Sequence, residues 1–201
     1  YAATSINAAL RHREVTGEGQ HIDIGMLDVM VAFSTIMGMN YLATGENPKR
    51  LGNAHPNIVP YQGFETSDGA IILAVGNDGQ FQRFCDFAGH PEIAENPRYA
   101  TNTARLQNRD EITDVLTPII QAQPSQHWLD GLEARSVSCG PINTIKQVFH
   151  DPQVLARDMK ISMPHAATGS AELDMVGSPI KMSETKVSYR HAPPMLGQHT
   201  D

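Results

Sequence analysis

Residues Tyr61 to Val75 constrain the fold more than any other stretch. Tyr61–Thr66 and Ala70–Val75 are two strand-length runs joined through Ser67-Asp68-Gly69. Asp-Gly is a turn pair whose backbone matches the twist of antiparallel strands, so the spacing predicts a β-hairpin. The second run, Ala70-Ile-Ile-Leu-Ala-Val75, carries no polar side chain, the pattern of a strand buried on both faces. A lone hairpin is marginal in water, so other elements must cover it. The first candidate follows directly. After Gly76-Asn-Asp-Gly79, the residues Phe81, Phe84, Cys85 and Ala88 fall at i, i+3, i+4 and i+7, an amphipathic helix.

The rest of the chain is mostly helical in pattern. Ala2, Ala3, Ile6, Ala9 and Leu10 give a helix over residues 1–16, with Gly17 and Gly19 as its stop. His21–Gly25 alternates and reads as a short strand. Met26 to Ala43 reads as one helix apolar almost all round, which predicts burial inside a larger body. Residues 103–121 read as a helix that Pro118 kinks or shortens. Ser125 caps a helix carrying Trp128, Leu129 and Leu132. Val137–Ile142 is extended. Thr144 caps a short helix, and Asp151-Pro152 starts another. From Lys160 onward the pattern is short extended pieces between Gly and Pro. The fold class is α+β.

Charge and cysteine content narrow the function. The chain has 201 residues with 15 Lys and Arg against 22 Asp and Glu, a net charge of −7. An acidic chain without a basic stripe is not a nucleic-acid binder. The apolar stretch Val29–Gly45 contains Ser34, Thr35, Asn40 and Thr44 and is too short and polar for a membrane span. Two cysteines, Cys85 and Cys139, make neither a metal box nor a disulfide framework, so a reducing, cytoplasmic setting is expected. The nine histidines are scattered and form no ligand motif. The first residue is Tyr1, already in helical pattern without a cap, and the chain closes in loop-like sequence. Both ends read as cuts from something longer.

Five stretches, in order, carry a resemblance. They are Arg11–Asp28; Leu51-Gly-Asn-Ala-His-Pro-Asn-Ile-Val-Pro-Tyr61 with Phe64–Gly69; Ala74–Phe81; Cys139–Asn143 with His150–Val154; and Pro193–Asp201. The chain resembles the family III CoA-transferases, the group of formyl-CoA transferase and carnitine CoA-transferase, with α-methylacyl-CoA racemase as a relative. The resemblance implies a Rossmann-like large domain and a smaller α/β domain, in subunits that thread through each other as a homodimer. On that template residues 1–50 are a late segment of the large domain, 51–159 the small α/β domain, and 160–201 a linker returning to the large domain. This is a C-terminal half only. The family's nucleophilic Asp falls upstream of Tyr1, as does most of the coenzyme A site. Asp23 and Asp28 lie in other motifs. No catalytic residue is therefore expected in this chain, and no activity from it alone.

Candidate substrate-pocket residues remain. Asn53, His55 and Asn57 lie in a loop that, by the resemblance, faces the active-site region. In transferases a glycine-rich lid here shields a hydrolysable anhydride from water. This loop has only Gly52, which puts a lid mechanism in doubt. The alternative reading is a polar loop bonded to its own backbone. Asn77 and Asp78 sit between a strand and a helix N-terminus, where backbone amides can hold an anion, although a simple cap is the reading preferred. The racemase branch carries a Glu where this chain reads Asp78-Gly-Gln-Phe81, which favours transfer. The expected substrates are an acyl-CoA and a small carboxylic acid, with coenzyme A as substrate and no other cofactor or metal. Two alternatives stay open: a non-catalytic self-associating or ligand-binding module, and a racemase-like isomerase.

Overall fold

A computed structural model describes residues 1–165 and 172–198 of the chain. Three helices come first: α1 (Ala2–Thr16), α2 (Met26–Phe33) and α3 (Thr35–Thr44). The hairpin follows as β1 (Tyr61–Glu65) and β2 (Ala70–Ala74). Then come α4 (Asp78–Phe87), α5 (Pro91–Glu95), α6 (Asn102–Gln107), α7 (Arg109–Gln121) and α8 (Ser125–Glu133). The strand β3 (Ser138–Pro141), short helices α9 (Ile145–Val148) and α10 (Pro152–Ala156), and a second hairpin, β4 (Lys160–Pro164) with β5 (Glu172–Val176), complete the order. The last three residues of the closing motif, 199–201, lie outside the described residues.

The first sheet is antiparallel in the order β1-β2-β3, with Phe64 opposite Ile71 and Leu73 opposite Cys139. Because β2 is central, both its edges are hydrogen-bonded. Its burial alternates: Ile71 and Leu73 are fully buried, while Ala70, Ile72 and Ala74 are half-buried. The expectation of a strand buried on both faces is corrected accordingly, because the helices cover only one face closely. That cover comes from Phe81, Phe84 and Cys85 of α4, Ile112, Leu116 and Ile120 of α7, and Trp128 and Leu132 of α8. The Trp128 indole N–H donates to the Ile120 carbonyl (2.9 Å), so the largest core side chain leaves no polar atom unmet.

The hairpin turn and α8 are tied together. Asp68 of the turn accepts from the Ser125 backbone N–H (2.8 Å), and Ser125 Oγ lies 2.8 Å from Thr66 Oγ. Ser125 therefore sits inside the helix rather than capping it; Pro124 holds the cap position and supplies no side-chain oxygen. A side chain 57 residues away does the capping instead. The N–H bond holds the Asp68 carboxyl below the usual carboxylate range.

Several other expectations are corrected. His21–Gly25 forms no strand; it is largely exposed and pairs with no neighbour. The run from Met26 is two helices, not one, bent by 77°. The break falls where Ser34 Oγ bonds back to the Val31 carbonyl (2.7 Å) and Thr35 takes φ +36°. Neither helix buries a residue within this structure. Among the described residues no single helix is long and apolar enough to cross a membrane, although this bent pair passes such a test jointly. In the stretch 103–121 the interruption is at Asn108, not at Pro118. Asn108 Nδ2 donates to the carbonyls of Ala104 and Arg98 (2.9 and 3.2 Å), turning the chain there. Pro118 lies inside α7, which runs on through it to Gln121 although a proline there gives no N–H to the Asp114 carbonyl. The caps at Thr144 and Asp151 form as read.

Candidate functional site

The segment 51–60 has no regular secondary structure, so its backbone polar groups need partners from elsewhere. Five of them, the carbonyls of His55, Pro56, Asn57 and Val59 and the N–H of Val59, meet side chains of α6 and the start of α7. Asn102 Oδ1 accepts from the Val59 N–H (3.1 Å), and its Nδ2 donates to the Asn57 carbonyl (2.9 Å). One side-chain amide thus pairs with the loop as a neighbouring strand would. Arg105 Nε donates to the Val59 carbonyl (2.6 Å) and its Nη1 to the Tyr99 carbonyl (2.7 Å). Arg109 Nη2 donates to the carbonyls of both His55 and Pro56 (3.0 and 2.9 Å). The far end is held by the His55 N–H on the Tyr61 carbonyl and the Val75 N–H on the Pro60 carbonyl.

The predicted residues occupy distinct places around this clamp. Asn53 Oδ1 accepts from the Gly63 N–H (3.1 Å), joining the loop to β1. A Cβ at Gly63 would meet Asn53 Nδ2 at 3.0 Å, so glycine allows the approach. The His55 ring stacks on Tyr61, with centroids 5.2 Å apart, and its Nδ1 faces the Asn57 N–H at 3.1 Å. A ring that accepts at Nδ1 carries its proton on Nε2, so the loop presents an Nε2–H donor. Asn57 makes a reciprocal amide pair with Asn40 of α3 (3.2 and 3.3 Å). That pair sits where the first three helices meet the sheet-containing unit. Asn77 is the N-cap of α4, accepting from the Gln80 N–H (2.9 Å). Asp78 Oδ1 accepts from the Asn102 N–H and from Arg105 Nη2, each at 2.8 Å. The two candidate clusters are therefore joined, through Asn102 and Arg105.

The electrostatics of the clamp are costly. Arg105 is fully buried and stacks 4.2 Å from the Phe81 ring centroid. Burial pulls its guanidinium pKa down, and Asp78 opposes that pull. Desolvation lowers Arg109 as well, and its Nη1 is buried with no hydrogen-bond partner. A depression of about 450 Å³ lies beside it, lined by Lys49, Leu51 and Arg109 among others. A roomier one of about 640 Å³ sits in the C-terminal arm around Met163, Arg190 and Pro193 and contains none of the predicted residues. Both thiols are pushed up by burial, Cys85 to about 12 and Cys139 to about 11, far from a nucleophile's range. No group of three or more metal-ligating side chains occurs among the described residues.

Sequence reasoning missed Asn40, Asn102, Arg105 and Arg109. Arg105 is the buried residue of α6, while the apolar Leu106 next to it is half-buried. The partners of these residues lie 43 to 54 positions away for the loop contacts of Asn102 and Arg109, so no short motif marks them.

Comparison with known proteins gives a consistent picture. Residues 1–200 match CoA-transferase family III. The chain is 44% identical over 199 residues to a succinate–glutarate CoA-transferase of Agrobacterium fabrum, covering 99% of this chain and 49% of that protein. It is 38% identical over 200 residues to the human succinyl-CoA:glutarate CoA-transferase, covering 100% of this chain and 45% of that one. A succinyl-CoA:mesaconate CoA-transferase of Haloarcula marismortui is 35% identical over 199 residues, covering 98% and 49%. Among solved structures, a CaiB/BaiF family protein from Brucella suis is similar with a TM-score of 0.76 and 41% identity, over 98% of this chain and 50% of that one. The chain spans about half the length of the curated relatives it matches.

Proposed function

This chain belongs to CoA-transferase family III, and on that premise we propose that it forms part of an acyl-CoA:carboxylate CoA-transferase. The reaction exchanges a thioester for a carboxylate. Coenzyme A leaves one acyl group as that group becomes a free carboxylate, and it forms a thioester with the incoming acid. One thioester is consumed and one formed, so neither ATP nor a redox partner enters the balance. The observation that carries the reading is identity of 35 to 44% across nearly the whole chain to relatives named as CoA-transferases.

The finer reading is a short dicarboxylic acid as acceptor. Its support is the names of those relatives, which pair succinate or succinyl-CoA with glutarate or mesaconate. Within this chain the loop 53–57 is assigned to the wall of the substrate region. The support is its place at the junction of α3 with the sheet-containing unit, a common location for ligand sites. A homodimer in a reducing, cytoplasmic setting completes the proposal. Its support is the exposed apolar surface of Met26, Leu27, Met30 and Leu42, together with two unpaired cysteines.

The test is direct. The full-length gene product carrying these residues, given succinyl-CoA and glutarate, is expected to form glutaryl-CoA and succinate in equal amounts. Failure to exchange coenzyme A with any short dicarboxylate overturns the reading. Exchange of an α-proton without any acceptor acid identifies the racemase-like alternative instead. The 201-residue chain alone, run in parallel, is expected to be inactive. Light scattering checks the dimer, and a monomer at high concentration counts against it.

A further inference from the structure

The clamp on residues 55–59 is expensive for what it holds. A buried arginine and a second one with an orphaned nitrogen are costly groups, since an apolar side chain fills the same space without desolvating a charge. Their hydrogen bonds go largely to the carbonyls of one short loop. Four consecutive or near-consecutive carbonyls, those of His55, Pro56, Asn57 and Val59, are each taken by Asn102, Arg105 or Arg109. Departures from the cheapest packing cluster where a protein needs a defined geometry rather than stability alone. Lids that open and close come from weakly tied segments, with few contacts to break. This loop has the opposite character.

We propose that residues 55–59 are a fixed wall rather than a lid, and that Asn102 and Arg109 are positioning residues that hold the His55 Nε2–H in place as a hydrogen-bond donor to an acyl or carboxylate oxygen of the substrate. The donor's aim depends on three constraints visible in the structure: the Tyr61 stack, the Asn57 N–H at Nδ1, and the Arg109 bond to the carbonyl of His55 itself. Arg109 fixes the backbone from which the ring projects. Asn102 fixes the residue whose N–H sets the tautomer. This inference rests on the transferase reading for the identity of the oxygen, but the rigidity of the wall does not.

The experiment has two arms on the full-length gene product. Amide hydrogen exchange reads the wall. The Val59 amide, bonded to Asn102, is expected to exchange slowly in the wild type. Asn102→Ala is expected to speed it about tenfold or more while the β2 amides of Ile71 and Leu73 keep their protection. A wild-type Val59 amide that exchanges as fast as an unstructured loop overturns the fixed wall. Steady-state kinetics with succinyl-CoA and glutarate read the positioning. Arg109→Met is expected to lower kcat about tenfold or more with the KM for the thioester unchanged, because misaiming a donor costs the transition state more than the ground state. Arg109→Lys, which still reaches a carbonyl, is expected to recover most of the loss. His55→Gln, with a donor near the Nε2 position, is expected to retain more activity than His55→Asn, whose amide lies near Nδ1. Equal kcat in wild type and Arg109→Met, or equal loss in the two His55 variants, overturns the positioning role and leaves the transferase reading intact. A wild type that exchanges no coenzyme A while its wall stays protected sinks the transferase reading and the donor role together, and is told apart by the exchange arm.

Discussion

Helices α2 and α4 are nearly the same length and meet opposite fates. Residues Met26–Phe33 of α2 are almost wholly apolar, yet none is buried within the chain. Asp78–Phe87 of α4 is half polar, yet it sends Phe81, Phe84 and Cys85 into the core. Among the described residues every buried hydrophobic side chain lies between Val59 and Val137. The difference is in pattern, not in hydrophobicity. A stripe at i, i+3, i+4 gives a helix one face to bury, and the sheet and α7–α8 supply the matching surface. All-round apolarity names no face, and the chain from 59 to 137 closes its own core without α2. Hydropathy thus measures the demand for burial, while periodicity tells whether that demand can be met locally.

That contrast can be broken by mutation, and the largest effect is expected at Trp128. It is 1% exposed, packs against Phe84 and Phe87, and bonds the Ile120 carbonyl. In urea unfolding of the 201-residue chain, Trp128→Ala is expected to cost about 3–5 kcal/mol, whereas Met30→Ala in α2, exposed within this chain, should stay within about 0.5 kcal/mol. Comparable losses at both sites break the comparison. Arg105→Met comes next. It leaves the carbonyls of Val59 and Tyr99 without their donors, and about 3 kcal/mol is expected from two such groups and the widowed Asp78. A neutral result in the same assay shows that the methionine packs as well as the ion pair did.

Glycine substitution sharpens the contrast through its sign. A Cβ at Gly131 would lie 1.9 Å from Phe87 Cζ, and that ring is held between His127 and Arg135. Gly131→Ala is expected to lose about 1–3 kcal/mol by thermal or urea unfolding. At Gly38 in α3 the clash is with Ser34 Oγ, which can turn away only by giving up its bond to the Val31 carbonyl. Gly38→Ala is expected to be near neutral, a helix-propensity gain of up to about 1 kcal/mol offsetting that lost bond. The smallest effect concerns pH. The Ser125 N–H, the largest influence on Asp68, depresses its carboxyl in the folded state. A depressed folded pKa adds stability that is present above the unfolded value of about 3.9 and lost as pH falls through the folded one. Asp68→Asn is therefore expected to flatten the fall of the urea midpoint below about pH 4, with little change near neutrality.

How much of this was legible depended on the distance between cause and effect along the chain. The hairpin, α4, and the caps at Thr144 and Asp151 each rest on signals within a few residues, and they form where the pattern placed them. The break at Asn108 rests partly on the carbonyl of Arg98, ten residues back. Pro118, the obvious local breaker, does not end the helix, which continues to Gln121. The candidate loop of Asn53, His55 and Asn57 was named through the family resemblance, since its polar composition alone reads as a loop bonded to its own backbone. What holds that loop was invisible. Asn102 and Arg109 have ordinary surface-type side chains on helices, and only the folded chain shows that they face carbonyls 43 to 54 positions away. Similarly, His21–Gly25 alternates as a strand does, but alternation supplies no partner edge.

The capping of α8 by Asp68 has a consequence for the order of folding. A helix of nine residues is too short to persist by itself, and the group that completes its first turn is delivered only when the β1–β2 turn has closed. A peptide of residues 122–135 is thus born without its cap. The hairpin turn and α8 therefore support each other only after a 57-residue separation between the bonding partners has been closed. The aspartate that looks like an ordinary turn residue thus makes the first turn of α8 depend on a hairpin formed far upstream.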